Sequence, residues 1–175
     1  MLLNKSINIF SERLLIKSLV IEDVTENYLS WITNEKSNYH IEYSCKNRTL
    51  NDLKFYVKTK IKKRDTIFLG IFDKNKSNHI GNIKYEPVNL QSGDATMGIM
   101  IGDESYRGIG IAKEAILSTS TWLQNNLNIK NIKLKVANTN NTAINVYESI
   151  GFHKIISLNK FQNKTETVMV KKLNE

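Results

Sequence analysis

The chain has 175 residues, 41% of them hydrophobic and 24% charged, which suits one compact domain with its own core and excludes a disordered or fibrous protein. A net charge of +8 favours anionic ligands, but the lysines are scattered rather than striped and arginine is scarce, so the sequence does not indicate a nucleic-acid interface. Cys45 is the sole cysteine, so no internal disulfide can form, and no run approaches the roughly 20 apolar residues of a membrane helix.

The opening segment is broken by Asn4, Lys5, Ser6 and Asn8 and does not read as a secretory leader. We therefore expect a cytoplasmic protein without a membrane partner. Residues 13–17 form a short apolar run that predicts a strand. Residues 22–34 start acidic and place Val24, Tyr28, Trp31 and Ile32 on one face, as a helix would. Thr49 and Asp52 have the spacing of a capping box, predicting a helix to about residue 63. Residues 66–72 are apolar on both faces, which suits a central strand, and residues 78–86 read as its hairpin partner across a turn at 73–77.

Residues 95–101 alternate Ala95, Met97, Ile99 and Ile101 against Thr96, Gly98 and Met100, which is strand periodicity. Residues 111–127 carry a helical stripe of Ile111, Ala112, Ala115, Ile116, Trp122, Leu123 and Leu127. Residues 132–136 alternate as a strand. Residues 141–150 read as a helix stopped by Gly151, and residues 152–158 and 165–172 close as two strands. The order predicts an α+β (mixed α/β) fold, one sheet with helices on its faces.

Two segments carry chemistry. In the first, a strand runs through Gly102 and Arg107-Gly108-Ile109-Gly110-Ile111-Ala112 into a helix. A helix start leaves about four N–H groups without internal partners and adds partial positive charge. Glycines there let an anion approach the backbone. The segment lacks the Lys-Ser/Thr of a Walker A loop and the spacing of the dinucleotide fingerprint, so it reads as another kind of phosphate turn, or simply as a turn joining strand to helix. The second segment contains Asn140, Ala143, Tyr147, Gly151 and Phe152, which without further context describes a capped amphipathic helix with Tyr147 in the core. His40, His79 and His153 lie in different segments without ligand spacing, so no metal site is expected.

Together the two segments resemble the GNAT N-acetyltransferase superfamily. Its coenzyme-A signature Q/R-x-x-G-x-G/A is matched by Arg107, Gly110 and Ala112, and its N-x-x-A/S-x-x-x-Y segment by Asn140, Ala143 and Tyr147. The resemblance implies one domain over residues 1–175, with a central, mostly antiparallel twisted sheet of about seven strands and four helices on its faces. It implies an acetyl-CoA-dependent N-acetyltransferase. Backbone N–H groups of Gly108, Ile109, Gly110, Ile111 and Ala112 would hold the pyrophosphate, with Arg107 alongside. The edge of Ile99, Met100 and Ile101 would pair with the pantetheine arm, and Asn140 would touch the cofactor. Tyr147 would sit near the thioester sulfur and protonate the leaving thiolate. Many members carry a glutamate base where this chain has Thr96; Glu86 is a substitute candidate, with Glu42 and Glu104 behind it. Thr96 thus favours an acceptor amine of low pKa.

Tyr28 to Asn34 resembles the Y-x-x-W-x-N/D segment of the ribosomal-protein N-terminal acetyltransferase-like branch, which includes enzymes that acetylate nucleotide-linked amino sugars. Acceptor-site candidates are Trp31, Tyr39, His40, Glu42, Tyr43 and Tyr85. The favoured acceptor is a nucleotide-linked amino sugar. The alternatives are a protein N-terminal amine and, in a different class, a non-catalytic acyl-CoA sensor. The protein is expected as a monomer or homodimer.

Overall fold

The computed structural model describes residue 3 and residues 6–33, 48–155 and 165–173. Its strands are β1 (Asn8–Phe10), β2 (Leu14–Ser18), β3 (Ile67–Asp73), β4 (His79–Asn89), β5 (Asp94–Ile101), β6 (Asn131–Ala137), β7 (His153–Lys154) and β8 (Glu166–Lys172). Its helices are α1 (Glu26–Thr33), α2 (Leu50–Ile61), α3 (Ile111–Leu127) and α4 (Asn141–Ser149). The strands form one sheet in the order β1-β2-β3-β4-β5-β6-β8-β7. Every pairing is antiparallel except β5 with β6. The sheet has eight strands rather than about seven, because β1 pairs with β2 ahead of the first predicted strand.

Strand alternation sorts side chains onto two faces. Ile67, Leu69 and Ile71 of β3, Ile83 and Tyr85 of β4, and Ala95 and Met97 of β5 pack with Ile111, Ala115, Ile116 and Leu123 of α3. On the opposite face Phe68 packs with Tyr28, Trp31 and Ile32 of α1 and Leu53 and Val57 of α2, and Met100 joins them. Helix α3 and the two N-terminal helices therefore lie on different faces of the sheet.

The first predicted helix is divided. Residues Ile21–Asp23 make a 3-10 turn, Val24 is extended (φ −86°, ψ 92°), and α1 starts after it. The Tyr28 N–H donates to Thr25 Oγ1 at 3.3 Å, so Thr25 caps α1 and sets a new start where the apolar stripe alone suggested continuity. The predicted capping box of α2 is present. Thr49 Oγ1 accepts from the Asp52 N–H at 3.2 Å, and Asp52 Oδ2 accepts from the Thr49 N–H at 2.9 Å. Of the strand predicted over residues 152–158, β7 covers His153–Lys154, and residues 156–158 lie outside the described residues.

Gly102 follows β5 against the indole of Trp31, and a Cβ at that position would overlap the ring. Replacing Gly102 with alanine must displace Trp31 from a site where it is 6% exposed. The expected cost is about 1–3 kcal/mol of stability, in line with overpacking elsewhere. Gly98→Ala, whose Cβ would meet nothing within 4 Å, should cost far less. Denaturant melts of the two variants check this; equal midpoints would show that the indole does not hold the strand end.

Candidate functional site

The parallel pairing of β5 with β6 is short. It runs only through Asp94↔Asn131, Ala95↔Ile132 and Thr96↔Lys133, although both strands continue to Ile101 and Ala137. Beyond Thr96 the two strands part, and the edge of residues 97–101 facing β6 has no strand partner there. An unpaired strand edge is a template for an extended ligand. Ile99, Met100 and Ile101 all lie on this length of β5 and are partly exposed.

The glycine turn stands at the open end of the gap. Gly108 and Gly110 both take left-handed conformations (φ 74° and 84°), and Gly110 is the N-cap of α3. A Cβ at Gly108 would meet nothing within 4 Å, so the space above the turn is open. The first N–H groups of α3, those of Ile111, Ala112 and Lys113, have no intrahelical acceptors, and the first such bond is from the Glu114 N–H to the Gly110 carbonyl. Geometry and dipole both fit an anion lying along this turn.

Arg107 is engaged differently from its sequence reading. Its guanidinium donates from Nε to the Ile101 carbonyl at 2.9 Å and from Nη2 to the Gly102 carbonyl at 3.0 Å, and Nη1 pairs with Glu104 at 3.3 Å. These contacts tie down the end of β5, whose carbonyls no longer have a β6 partner. Arg13, which sequence reading placed only at a strand start, reaches the turn instead. It donates from Nη1 to the Ile109 carbonyl at 2.9 Å and from Nε to Glu114 Oε2 at 2.7 Å. The two ends of this contact lie about a hundred positions apart, and no local pattern announces it.

α4 begins beyond the end of β6 that has parted from β5. Asn140 is its N-cap, and Oδ1 accepts from the Ala143 N–H at 3.1 Å, so the Asn140 oxygen is committed to the helix. Tyr147 is half-buried and packs on Phe152, with ring centroids 5.7 Å apart. Burial raises the pKa of its phenol above the ordinary value, so the proton is held at neutral pH. Among the described residues no hydrogen bond to Tyr147 Oη occurs.

The sheet face towards α1 and α2 carries Thr96, Gly98 and Met100 of β5 beside Asn82, Lys84 and Glu86 of β4. Lys84 lies directly across from Gly98. A bulge sets Glu86 and Pro87 opposite Thr96, since Tyr85 pairs with Met97 and Val88 with Ala95. Glu86 therefore lies beside the position where many GNAT members carry a base. Its electrostatics do not suit that role. Lys60, Lys63 and Lys84 surround it at 2.6, 2.8 and 2.9 Å. Partial burial alone would raise its pKa, but hydrogen bonds from the three lysines outweigh burial and bring it down to about 2. A carboxylate that acidic is a poor proton acceptor near neutral pH. The cluster has three ammonium groups around one carboxylate, and Tyr56 adds a hydroxyl 3.1 Å from Lys84 Nζ.

Two other candidates change role. Tyr85 is fully buried on the α3 face, where its hydroxyl shares a 2.8 Å hydrogen bond with Thr119 Oγ1, so it does not face an acceptor. The bulge after Tyr85 and the side of the sheet it faces were not readable from its neighbours. Trp31 is mostly core. It packs on Tyr28 and His79, and one edge lines a cavity of about 440 Å³ with Gly102, Asp103 and Glu104. Tyr39, His40, Glu42 and Tyr43 lie outside the described residues, as does Cys45. His79 is partly buried and stacked on Phe72, and burial lowers its pKa. Among the described residues no group of three His, Cys, Asp or Glu side chains could hold a metal ion, and no helix is long and apolar enough to cross a membrane.

Comparison with known proteins places this geometry. The acetyltransferase (GNAT) domain family matches residues 13–153. An N-acetyltransferase 9-like protein from Nematostella vectensis is 30% identical over 105 residues, 54% of this chain and 53% of that protein. The chain thus spans about half the length of the curated relative it matches. Among solved structures, spermidine N-acetyltransferase from Vibrio cholerae with CoA and spermine superposes with a TM-score of 0.76 at 20% identity, over 93% of this chain and 96% of that one. The microcin C7 self-immunity acetyltransferase MccE with acetyl-CoA and AMP gives a TM-score of 0.77 at 14% identity, over 93% and 94% of the two chains.

The lysine cluster sets an acid dependence. A carboxyl held near pH 2 in the folded chain and near 4.5 when unpaired stabilises the fold above the ordinary value, and that contribution fades as pH falls towards 2. The thermal midpoint of the wild type should therefore fall more steeply between about pH 4.5 and 2 than that of Glu86→Gln. Parallel curves for the two proteins would remove the three-lysine contact from the account.

Proposed function

Because the chain belongs to the acetyltransferase (GNAT) family, we propose that it is an acetyl-CoA-dependent N-acetyltransferase whose favoured acceptor is a nucleotide-linked amino sugar. The observation that carries this reading is the gap between β5 and β6, which ends at the glycine turn. The edge of Ile99, Met100 and Ile101 would take the pantetheine arm, and the N–H groups of Gly108, Ile109, Gly110, Ile111 and Ala112 the pyrophosphate. Acetyl-CoA is the acyl donor. The neutral amine nitrogen forms the new bond to the acyl carbon, the carbon–sulfur bond breaks, Tyr147 gives its proton to the departing sulfur, and the proton that the nitrogen sheds passes through solvent to restore the Tyr147 phenol. Two substrates held in one cleft gain much of their rate from positioning.

The acceptor would approach on the face carrying Gly98, where the absence of a side chain leaves open space beside Lys84. A polyamine brings several positive charges to a face where three lysines share one carboxylate, which is unfavourable. An acceptor bearing phosphate is attracted there, and the same lysines lower the pKa of a nearby ammonium by like-charge repulsion. With Glu86 too acidic to serve as base, an amine of low pKa, with a larger neutral fraction near pH 7 than lysine has, suits the site. In the MccE structure a related fold accommodates AMP together with acetyl-CoA, which supports a nucleotide-bearing acceptor. The low-pKa requirement equally admits a protein N-terminal amine, with pKa about 8, as the second reading. A non-catalytic acyl-CoA sensor would have no use for Tyr147. We place the protein in the cytoplasm, acting on a small-molecule amine as a monomer or homodimer.

Thiol release from acetyl-CoA, followed across nucleotide-linked amino sugars, N-terminal peptides and polyamines, tests the acceptor. The expected result is fastest turnover with the nucleotide-linked amino sugar, with KM rising as salt is added. Turnover confined to N-terminal peptides would overturn the sugar acceptor, and no turnover with any amine would overturn the enzyme. With the active acceptor, Tyr147→Phe should lower kcat by about 10- to 10⁴-fold with little change in coenzyme-A affinity. An unchanged kcat would return Tyr147 to the core.

A further inference from the structure

The β1–β2 hairpin reaches across to the start of α3 through one carboxylate. Glu114, in the first turn of α3, accepts from Ser11 Oγ at 2.7 Å, from the Arg13 backbone N–H at 2.8 Å and from Arg13 Nε at 2.7 Å. Burial would raise the Glu114 pKa, but these donors outweigh it and keep the group ionised. The same guanidinium continues to the turn. Nη1 holds the Ile109 carbonyl at 2.9 Å, and Nη2 would lie 3.5 Å from a Cβ at Gly110.

Two consequences follow from elementary geometry and charge. In a trans peptide the C=O and N–H point in opposite directions. Drawing the Ile109 carbonyl towards Arg13 therefore aims the Gly110 N–H away from it, to the opposite side of the turn. Glu114 is the second consequence. A carboxylate in the first turn suits the helix dipole but repels any anion bound at the same helix start. With Arg13 paired to it, that repulsion is cancelled.

We propose that Arg13 is a positioning residue for the pyrophosphate turn: it orients the Ile109–Gly110 peptide and masks the charge of Glu114. This rests on the reading that the turn binds the pyrophosphate of an acyl-CoA. Arg13 need not touch the ligand, and its 43% exposed side chain leaves it accessible to solvent beside the turn.

Calorimetric titration with coenzyme A and with dephospho-coenzyme A tests the proposal. The proteins compared are the wild type, Arg13→Ala, the double variant Arg13→Ala with Glu114→Gln, and Ser11→Ala. Absence of binding by the folded wild type would overturn the coenzyme-A reading itself. Given wild-type binding, Arg13→Ala should weaken both ligands alike, by about 10- to 100-fold for lost charge-assisted contacts. The double variant should recover part of the loss because the unmasked carboxylate is gone. Ser11→Ala keeps the Arg13 contacts and should bind as wild type, which separates this effect from general loosening of the hairpin. Unchanged affinity in Arg13→Ala would overturn the proposal. So would a loss confined to coenzyme A, which would place Arg13 at the 3′-phosphate, and so would a double variant no better than Arg13→Ala.

Discussion

Two neighbouring parallel strands that pair for three residues and then separate impose most of what is distinctive in this structure. The separation leaves the backbone of residues 97–101 without a strand partner on one side, in the middle of an otherwise continuous sheet. Buried backbone polar groups need partners. At the end of β5 the protein supplies one itself, since Arg107 takes the Ile101 and Gly102 carbonyls. Along the rest of that edge, among the described residues, no strand pairs with β5 on the β6 side. The glycine turn then places unpaired N–H groups of α3 at the mouth of the same gap. One line of backbone donors and acceptors thus runs from β5 to the helix start.

Strand parity divides the labour around that line. Odd-numbered residues of β5, Ala95 and Met97 among them, pack under α3, and Met100 points to the α1 and α2 side. Tyr85 follows the odd set into the core against Thr119. Lys84 and Glu86 follow the even set to the other face. Gly98 is the even position with no side chain, opposite Lys84, and it opens that face without disturbing the packing beneath. Gly102, four residues on, is glycine for the opposite reason, because Trp31 occupies the space a side chain would need.

The parts of this arrangement governed by local rules were legible in the sequence. Helix α3, its glycine start, the capping box at Thr49 and the alternation of β5 all follow from spacing over a few residues. The division at Val24 was hidden because the apolar stripe is in register across it, and only the Thr25 cap shows the break. The roles of Tyr85 and Glu86 depend on which face each occupies and on a bulge between Tyr85 and Val88, and no periodicity reveals a bulge. In the sequence Glu86 stands out only by its carboxyl. Its three lysine partners come from α2, from the residues just after α2 and from β4, and only the folded chain brings them together. Arg13 is the extreme case. Its partners Ile109 and Glu114 are remote in sequence, and the sheet order that makes β1 and β2 neighbours of the α3 N-terminus is a property of the whole fold.

Charge links the two sides of the proposed cleft. At the turn, Arg13 offsets the only first-turn carboxylate of α3 and leaves the helix start attractive to anions. On the proposed acceptor face three lysines share one carboxylate, so the cluster there carries excess positive charge. A positive face does more than attract a phosphate group: it shifts the protonation of the amine delivered with it. Each unit by which an ammonium pKa is lowered amounts to about 1.4 kcal/mol in favour of the neutral form. A chain with Thr96 in place of a carboxylate, and with Glu86 held too acidic to accept a proton, can thus favour the reactive amine through the field of its lysines. On the proposed reading, the same field that would favour an anionic acceptor would also reduce the need for a base.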